Sequence, residues 1–253
     1  MRPALFLSDL HLSATRPDAV EAFHAFARGP ARDASAVSVL GDLFDWWLGD
    51  DQLRDPFAAA VAASFRDVSA AGVPTYFARG NRDFLLGDGF ARATGAQLLP
   101  EQIVVDVAGT RTLLMHGDEL CTDDVDYQRY RATTRSAQTA RRLLALPYAA
   151  RRAIAWYLRR TSRNANALKA ETIMDVNEEA VAEAFRRYNV TRMIHGHTHR
   201  PARHVHTIDG IARERIVLAD WHDRGRYIEV DASAVRTREI AEERTGAPDG
   251  ASA

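Results

Sequence analysis

Short apolar runs separated by polar turn residues recur along most of the chain. Ala4–Ser8, Ala36–Leu40, Pro74–Ala78, Thr112–Met115 and Arg192–Ile194 are rich in aliphatic, aromatic or β-branched residues and too short for helices, so each is predicted as a buried strand. Three longer stretches repeat their apolar positions at helical spacing. Asp18–Arg28 carries Val20, Phe23 and Phe26, and Pro56–Ala70 carries Phe57, Val61, Phe65 and Val68 and stops before Gly72. Asn177–Tyr188 carries Val181, Phe185 and Tyr188 behind an acidic first turn, which suits the helix dipole. Strand and helix alternate, and this order predicts a layered α/β fold. Ile103–Met115 and His204–Leu218 break at Ala108-Gly109 and Asp209-Gly210, so both read as hairpins and make the sheet mixed.

One region departs from this pattern. From Tyr127 to Ala170 there are ten arginines and Lys169 but no Asp or Glu, with Leu143, Leu144, Ile154, Trp156 and Leu158 among the basic positions. Two basic amphipathic helices broken at Pro147 are expected, inserted at about 123–170 into a domain of 1–236. From Thr237 to Ala253 the periodicity fades and Glu, Arg, Gly and Pro collect, so 237–253 reads as a flexible tail.

Composition narrows the function classes more than it chooses among them. With 46% hydrophobic and 26% charged residues the chain is ordinary globular protein, and a net charge of -1 gives no whole-molecule attraction to nucleic acid. A single cysteine, Cys121, excludes an internal disulfide and a thiolate zinc site and fits a reducing compartment. The apolar run before Asp9 is too short for a signal peptide, and no run is long enough to span a bilayer, so the expected location is cytoplasmic.

The chemistry-bearing residues sit just after the predicted strands. These clusters are Ser8-Asp9-Leu10-His11, Gly41-Asp42-Leu43-Phe44-Asp45, Gly80-Asn81-Arg82-Asp83, His116-Gly117-Asp118 and His195-Gly196-His197-Thr198-His199. Strand ends of an open α/β sheet converge on one crevice, so these distant positions should become neighbours. The inventory is carboxylate, imidazole and amide, which suits divalent ions such as Mn²⁺, Fe²⁺ or Zn²⁺.

The five ordered blocks, from Leu5 to His199, resemble the calcineurin-like binuclear metallophosphoesterases, whose pattern is D-x-H, G-D-x-x-D, G-N-H-[DE], H and G-H-x-H. The resemblance implies a layered mixed β-sheet sandwich with flanking helices. It also implies two Mn²⁺, with Fe²⁺ or Zn²⁺ open, held by Asp9, His11, Asp42 and His199 on one side and by Asp42, Asn81, His116 and His197 on the other. Arg82 departs from the family's histidine. Gly-Asn-Arg-Asp, with Ser162-x-x-x-Asn166-x-x-Lys169 and Ile173-Met174-Asp175-Val176-Asn177, resembles the UDP-2,3-diacylglucosamine pyrophosphatases of lipid A biosynthesis. That resemblance implies substrate contacts from Asn81, Arg82, Asp124, Tyr127, Ser162, Asn166, Lys169 and His197, and direct parts in catalysis for Asn81, Arg82 and His116. A metal-activated hydroxide would attack the α-phosphorus, releasing UMP and the diacylglucosamine 1-phosphate, while Arg82 holds diphosphate charge.

The basic insertion would then be a helical lid whose apolar faces cover acyl chains and whose arginines meet phosphate or an anionic surface. Peripheral association with the cytoplasmic face of the inner membrane is the corresponding expectation, and no nucleic-acid partner is expected. The alternative is another phosphoesterase of the same superfamily, acting on cyclic nucleotides, phosphoproteins or nucleic acid; Arg82 and the basic insertion count against it. A scaffold that has lost its metals is the reading from a different class, and the seven intact donors oppose it. Asp45 and Asp83 are expected to orient metal ligands, His195 to be a supporting or structural neighbour, and His24, His204, His206 and His222 to be structural. Trp46 and Trp47 could be core or acyl-pocket wall, and Cys121 is expected to be inert.

Overall fold

The computed structural model describes residues 2–166, 175–222 and 224–240, with Arg159 and residues 161–166 described by backbone only. Eleven strands form two sheets among these residues. The first six in sequence are β1 (Ala4–Leu7), β2 (Ala36–Leu40), β3 (Thr75–Ala78), β4 (Gln97–Leu98), β5 (Gln102–Val107) and β6 (Thr110–Met115). The remainder are β7 (Arg192–His195), β8 (Ala202–Ile208), β9 (Ile211–Val217), β10 (Arg226–Val230) and β11 (Val235–Glu239). One sheet runs β11-β10-β1-β2-β3-β4 and the other β5-β6-β7-β9-β8. Within the first, β1, β2, β3 and β4 are parallel and the β10–β11 pair is antiparallel. Within the second, β6, β7 and β9 are parallel, and both expected hairpins, β5–β6 and β8–β9, form the flanks.

Central strands such as β1 are apolar on both faces because both faces are covered. Along β1, Leu5 and Leu7 join the cluster of Phe23, Phe26, Val61 and Phe65, from the helices α1 (Pro17–Arg28) and α2 (Pro56–Ala70). Phe6, between them, faces the other way and packs with Leu114, Ile194 and Ile216 of the second sheet. The period-two alternation of a strand makes that division. Across the second sheet, Leu113, Met115 and Met193 pack on Val181 and Phe185. Those two belong to a helix whose Asn177 cap accepts bonds from Glu179 N and Ala180 N. The layers are therefore helix, sheet, sheet, helix, with the intersheet core between the two sheets.

Among the described residues, three helices, not two, occupy the basic stretch. A short helix, α3 (Asp88–Thr94), precedes them; they are α4 (Val125–Thr134), α5 (Ala137–Leu144) and α6 (Tyr148–Asn166), and Glu178–Tyr188 is α7. Pro147 makes the expected break. The extra one falls at Ser136, whose hydroxyl accepts from Thr139 N and starts a new helix. The two helices expected on either side of Pro147 are α5 and α6; α4, with no buried residue, is the additional one.

The first residues of the stretch read as a tail are instead a strand. Thr237–Glu239 completes β11, where cross-strand ion pairs Arg238–Glu229 and Arg226–Glu239 at 2.9 Å replace apolar pairing. Residues 241–253 lie outside the described residues. So does Lys169, as do the side chains of Ser162 and Asn166. Among the described residues, no helix is long and apolar enough to cross a membrane.

Candidate metal centre and cavity

The parallel strands β1, β2 and β3 deliver their C-terminal ends to one edge of the sandwich, and β6, β7 and β9 deliver theirs beside them. Backbone bonds fasten the loops together: Asp9 N donates to Gly41 O, His11 N to Asp42 O, and Gly196 N to His116 O. Asp9, His11, Asp42, His197 and His199 take φ values of 55°, 47°, 54°, 71° and 55°. These turns are tight enough to aim several polar side chains inward from consecutive loops. Gly80 supplies the close approach, since a Cβ there would collide with the backbone and side chain of Asp42.

Two donor groups result: Asp9, His11 and His199, and Asp9, Asp42 and His116. His199 Nε2 lies 3.3 Å from both Asp9 Oδ1 and His11 Nε2. Asp42 Oδ2 stands 3.9 Å from His11 Nε2 and equally far from His116 Nε2, so it faces both groups. Asn81 Oδ1 lies 3.1 Å from His116 Nε2 and from His197 Nδ1. His116 Nδ1 is 2.8 Å from Leu40 O, a bond that assigns its proton there and leaves Nε2 as the donor aimed inward.

The electrostatics call for cations. Asp9 Oδ1 is buried with no hydrogen-bond partner among the described residues. Burial works against ionisation of Asp9, yet the surrounding imidazoles, His199 at 3.3 Å first among them, hold its pKa well below the carboxylate range. Burial, with the Asp83 and Asp9 charges, pushes Asp42 up to about 7 despite His116. Burial likewise pushes His11 down to about 4 and His197 to about 3, keeping both neutral. Two crowded carboxylates among inward-facing imidazole nitrogens form a donor set that fits divalent ions.

Several supporting residues lie behind this set. Asp83 accepts from Gly80 N at 2.7 Å, Leu43 N at 2.8 Å and Asp42 N at 3.3 Å, pinning the loops of Asp42 and Asn81 as expected. Asp220, at the end of the sixth converging strand, is the residue sequence reasoning missed. Its carboxylate lies 3.3 Å from His199 Nδ1 and, with Asp9, raises His199 to about 10 against the lowering effect of burial. The signal was a carboxylate directly after a predicted strand, in Ala219-Asp220-Trp221.

His195 is wholly buried, with Nδ1 2.9 Å from Gly196 O and Nε2 3.4 Å from Arg215, so it is structural. His24 pairs with Ser64 between helices, and His204 and His206 lie on β8, outside the cluster. The carbonyl of His222 accepts from Arg16. Cys121 is buried and its thiol is pushed up to about 12 by burial and nearby carboxylates, which makes it inert.

The cluster opens into a cavity of about 620 Å³. Asn81, Arg82, Asp124, Tyr127 and His197 line it, with Asp45 and Trp46. Arg82 N donates to Asp42 Oδ1 at 2.7 Å, placing the arginine at the cluster's mouth. Asp124 caps α4 by accepting from Tyr127 N, and the Tyr127 ring stacks on His197 at 5.6 Å. Leu143, Ile154 and Leu158 of α5 and α6 make an apolar wall. Trp47 is core against Phe44 and Phe90, so of the two tryptophans it is Trp46 that serves more as wall.

Not every arginine of the basic stretch faces outward as expected. Arg131 and Arg135 turn in toward Asp118 and Glu101, and Arg151 donates to Leu48 O and pairs with Asp51. Their acidic partners come from other parts of the sequence.

The calcineurin-like phosphoesterase family model matches residues 2–201. The chain belongs to that family. Among curated proteins it is 46% identical over 234 residues to the UDP-2,3-diacylglucosamine hydrolase of Cellvibrio japonicus, covering 92% of this chain and 97% of that protein. It is also 46% identical over 241 residues to the protein of the same description from Marinobacter nauticus, covering 94% and 98%. Solved structures are more distant: a dimetal phosphatase from Danio rerio has a TM-score of 0.49 at 12% identity, covering 95% of this chain and 99% of that one. As a member of this family the chain carries a candidate dimetal site that includes Asp9, His11, Asp42, His116 and His199.

Proposed function

We propose that this chain hydrolyses the pyrophosphate bond of UDP-2,3-diacylglucosamine in lipid A biosynthesis: water adds to the α-phosphorus, which becomes the phosphate of UMP, and 2,3-diacylglucosamine 1-phosphate is the leaving group. One observation carries the reading: a single cavity joins the carboxylate–imidazole cluster and Arg82 at one end to the apolar wall of Leu143, Ile154 and Leu158 at the other. A diphosphate suits the first and an acyl chain the second. The 46% identity to proteins described as hydrolases of that compound supports the same substrate.

In this reading Asp9, His11, Asp42 and His199 hold one divalent ion and Asp42, Asn81, His116 and His197 the other, with Mn²⁺ as our choice over Fe²⁺ and Zn²⁺. Such ions, when bound, supply Lewis acidity and an acidified water. The chain's own residues do the rest. Arg82 sets a fixed cation against the diphosphate, whose sugar 1-phosphate half departs as a weak base and needs little proton donation. Asn81 and His116 take their part in catalysis as holders of the second ion, which fixes where the reacting phosphate sits. Asp124, Tyr127 and His197 line the cavity and contact the substrate; Ser162, Asn166 and Lys169, assigned from sequence alone, are further substrate contacts in this reading.

Helices α4 to α6 act as a lid. Exposed Leu144, Trp156 and Tyr157 lie there among arginines, a surface that suits peripheral binding at the anionic cytoplasmic face of the inner membrane.

Mass spectrometry of products from a defined UDP-linked diacyl sugar tests bond and substrate together. UMP and the sugar 1-phosphate should form with Mn²⁺ and cease on chelation, and in ¹⁸O water the label should enter UMP. Label solely in the lipid phosphate would contradict attack at the α-phosphorus, and a preference for bis-p-nitrophenyl phosphate would favour the alternative phosphoesterase.

A further inference from the structure

Asp118 follows His116 by two residues but belongs to neither donor group. It is 1% exposed. Its Oδ2 accepts from Tyr127 Oη at 3.0 Å and from Arg135 Nη2 at 3.1 Å, and Arg131 Nε lies 3.1 Å from the same oxygen. The Asp118 carbonyl accepts from Gln128 Nε2 at 2.8 Å. Four residues of α4 and its C-cap, Tyr127, Gln128, Arg131 and Arg135, thus converge on one residue of the His116 loop.

The connections continue past α4. Arg135 Nη1 also donates to Arg79 O at 3.1 Å, immediately before the Gly80-Asn81-Arg82 turn. Tyr127, held by its hydroxyl, presents its ring to His197. One buried carboxylate therefore ties together the end of β6, the turn bearing Asn81 and Arg82, and the helix that walls the cavity. A buried carboxylate that accepts from Tyr127 and Arg135 and faces Arg131 is a rigid point, since removing its charge would take from both guanidiniums a buried counter-charge.

We propose that Asp118 is a positioning residue that fixes the width of the cavity between α4 and the Asn81-Arg82 turn, and so sets substrate affinity rather than the chemical step. The proposal rests on the substrate reading above. Asp118→Asn keeps the shape but removes the charge that gathers Arg131 and Arg135. We expect KM for UDP-2,3-diacylglucosamine to rise at least about tenfold, with kcat within about threefold and Mn²⁺ bound per chain unchanged.

Tyr127→Phe, a gentler change, should raise KM by a smaller factor, and the double variant should be no worse than Asp118→Asn. If KM stays at the wild-type value in both single variants, or if kcat falls with lost Mn²⁺, the proposal is overturned. Should the wild-type protein fail on the lipid while cleaving another phosphoester, the substrate reading fails. The same split of KM from kcat, measured with that ester, still decides the role of Asp118.

Discussion

Replacing Asp83 with Asn asks how firmly the donor cluster is held from behind. Three backbone N–H groups converge on this carboxylate, from Gly80, Leu43 and Asp42. An amide offers one acceptor oxygen, so it can keep the bonds to Gly80 and Asp42 while turning an NH₂ toward Leu43 N–H. One charge-assisted bond is lost, worth about 1.5–3 kcal/mol, and the remaining two weaken to neutral strength. Part of that loss is offset, because burial raises the Asp83 pKa and the uncharged amide escapes the burial cost.

We expect a net destabilisation of about 2–4 kcal/mol, or a Tm lower by roughly 5–15 °C for a chain of this size. Because Asp83 holds the loops that present Asp42 and Asn81, Mn²⁺ affinity should also fall about 10–100-fold. Urea unfolding measures the first effect and titration calorimetry with Mn²⁺ the second. A variant within about 0.5 kcal/mol of the parent, binding Mn²⁺ within about threefold, would refute the claim that this carboxylate clamps the site.

Arg151 and Glu119 give two further tests. Arg151→Met keeps the aliphatic stem but loses the bonds to Leu48 O, Leu146 O and Asp51, so hydrogen exchange across 137–158 should accelerate about tenfold or more while β1–β3 stay protected; unchanged exchange would contradict its anchoring role. Glu119 is raised to about 7 by burial and by Asp118, so the folded state holds a proton that the unfolded chain releases near pH 4.5, and stability falls as pH rises between those values. Glu119→Gln should be more stable than the parent by on the order of 2 kcal/mol above pH 7 and no more stable at pH 4.5; parallel stability profiles for the two proteins from pH 4 to 8 would refute this.

Much of the site was legible because its residues lie directly after short apolar strands, and strand-end convergence is a rule of topology. The split into two sheets was less so: an apolar run such as Met193-Ile194 does not say whether its neighbours are β6 and β9 or β1 and β2. Asp118 stood in a recognised block, yet its partners are arginines 13 and 17 positions downstream, brought near only by the turn into α4. The polar look of Thr237–Glu239 concealed an edge strand because its stabilising pairs are ionic and cross-strand, a pattern that only the register of β10 and β11 reveals.

The left-handed backbone at Asp9, His11, Asp42, His197 and His199 bears on how far this protein can be engineered. Among the described residues three other non-glycine residues share that conformation, Ala108, Asn189 and Asp209, and at the exposed hairpin turn Ala108→Gly would relieve strain at no chemical cost. At the five cluster positions the same relief would delete a metal donor. Thermostabilised variants should therefore accumulate changes at the rim and in the turns, leaving the strained centre as inherited.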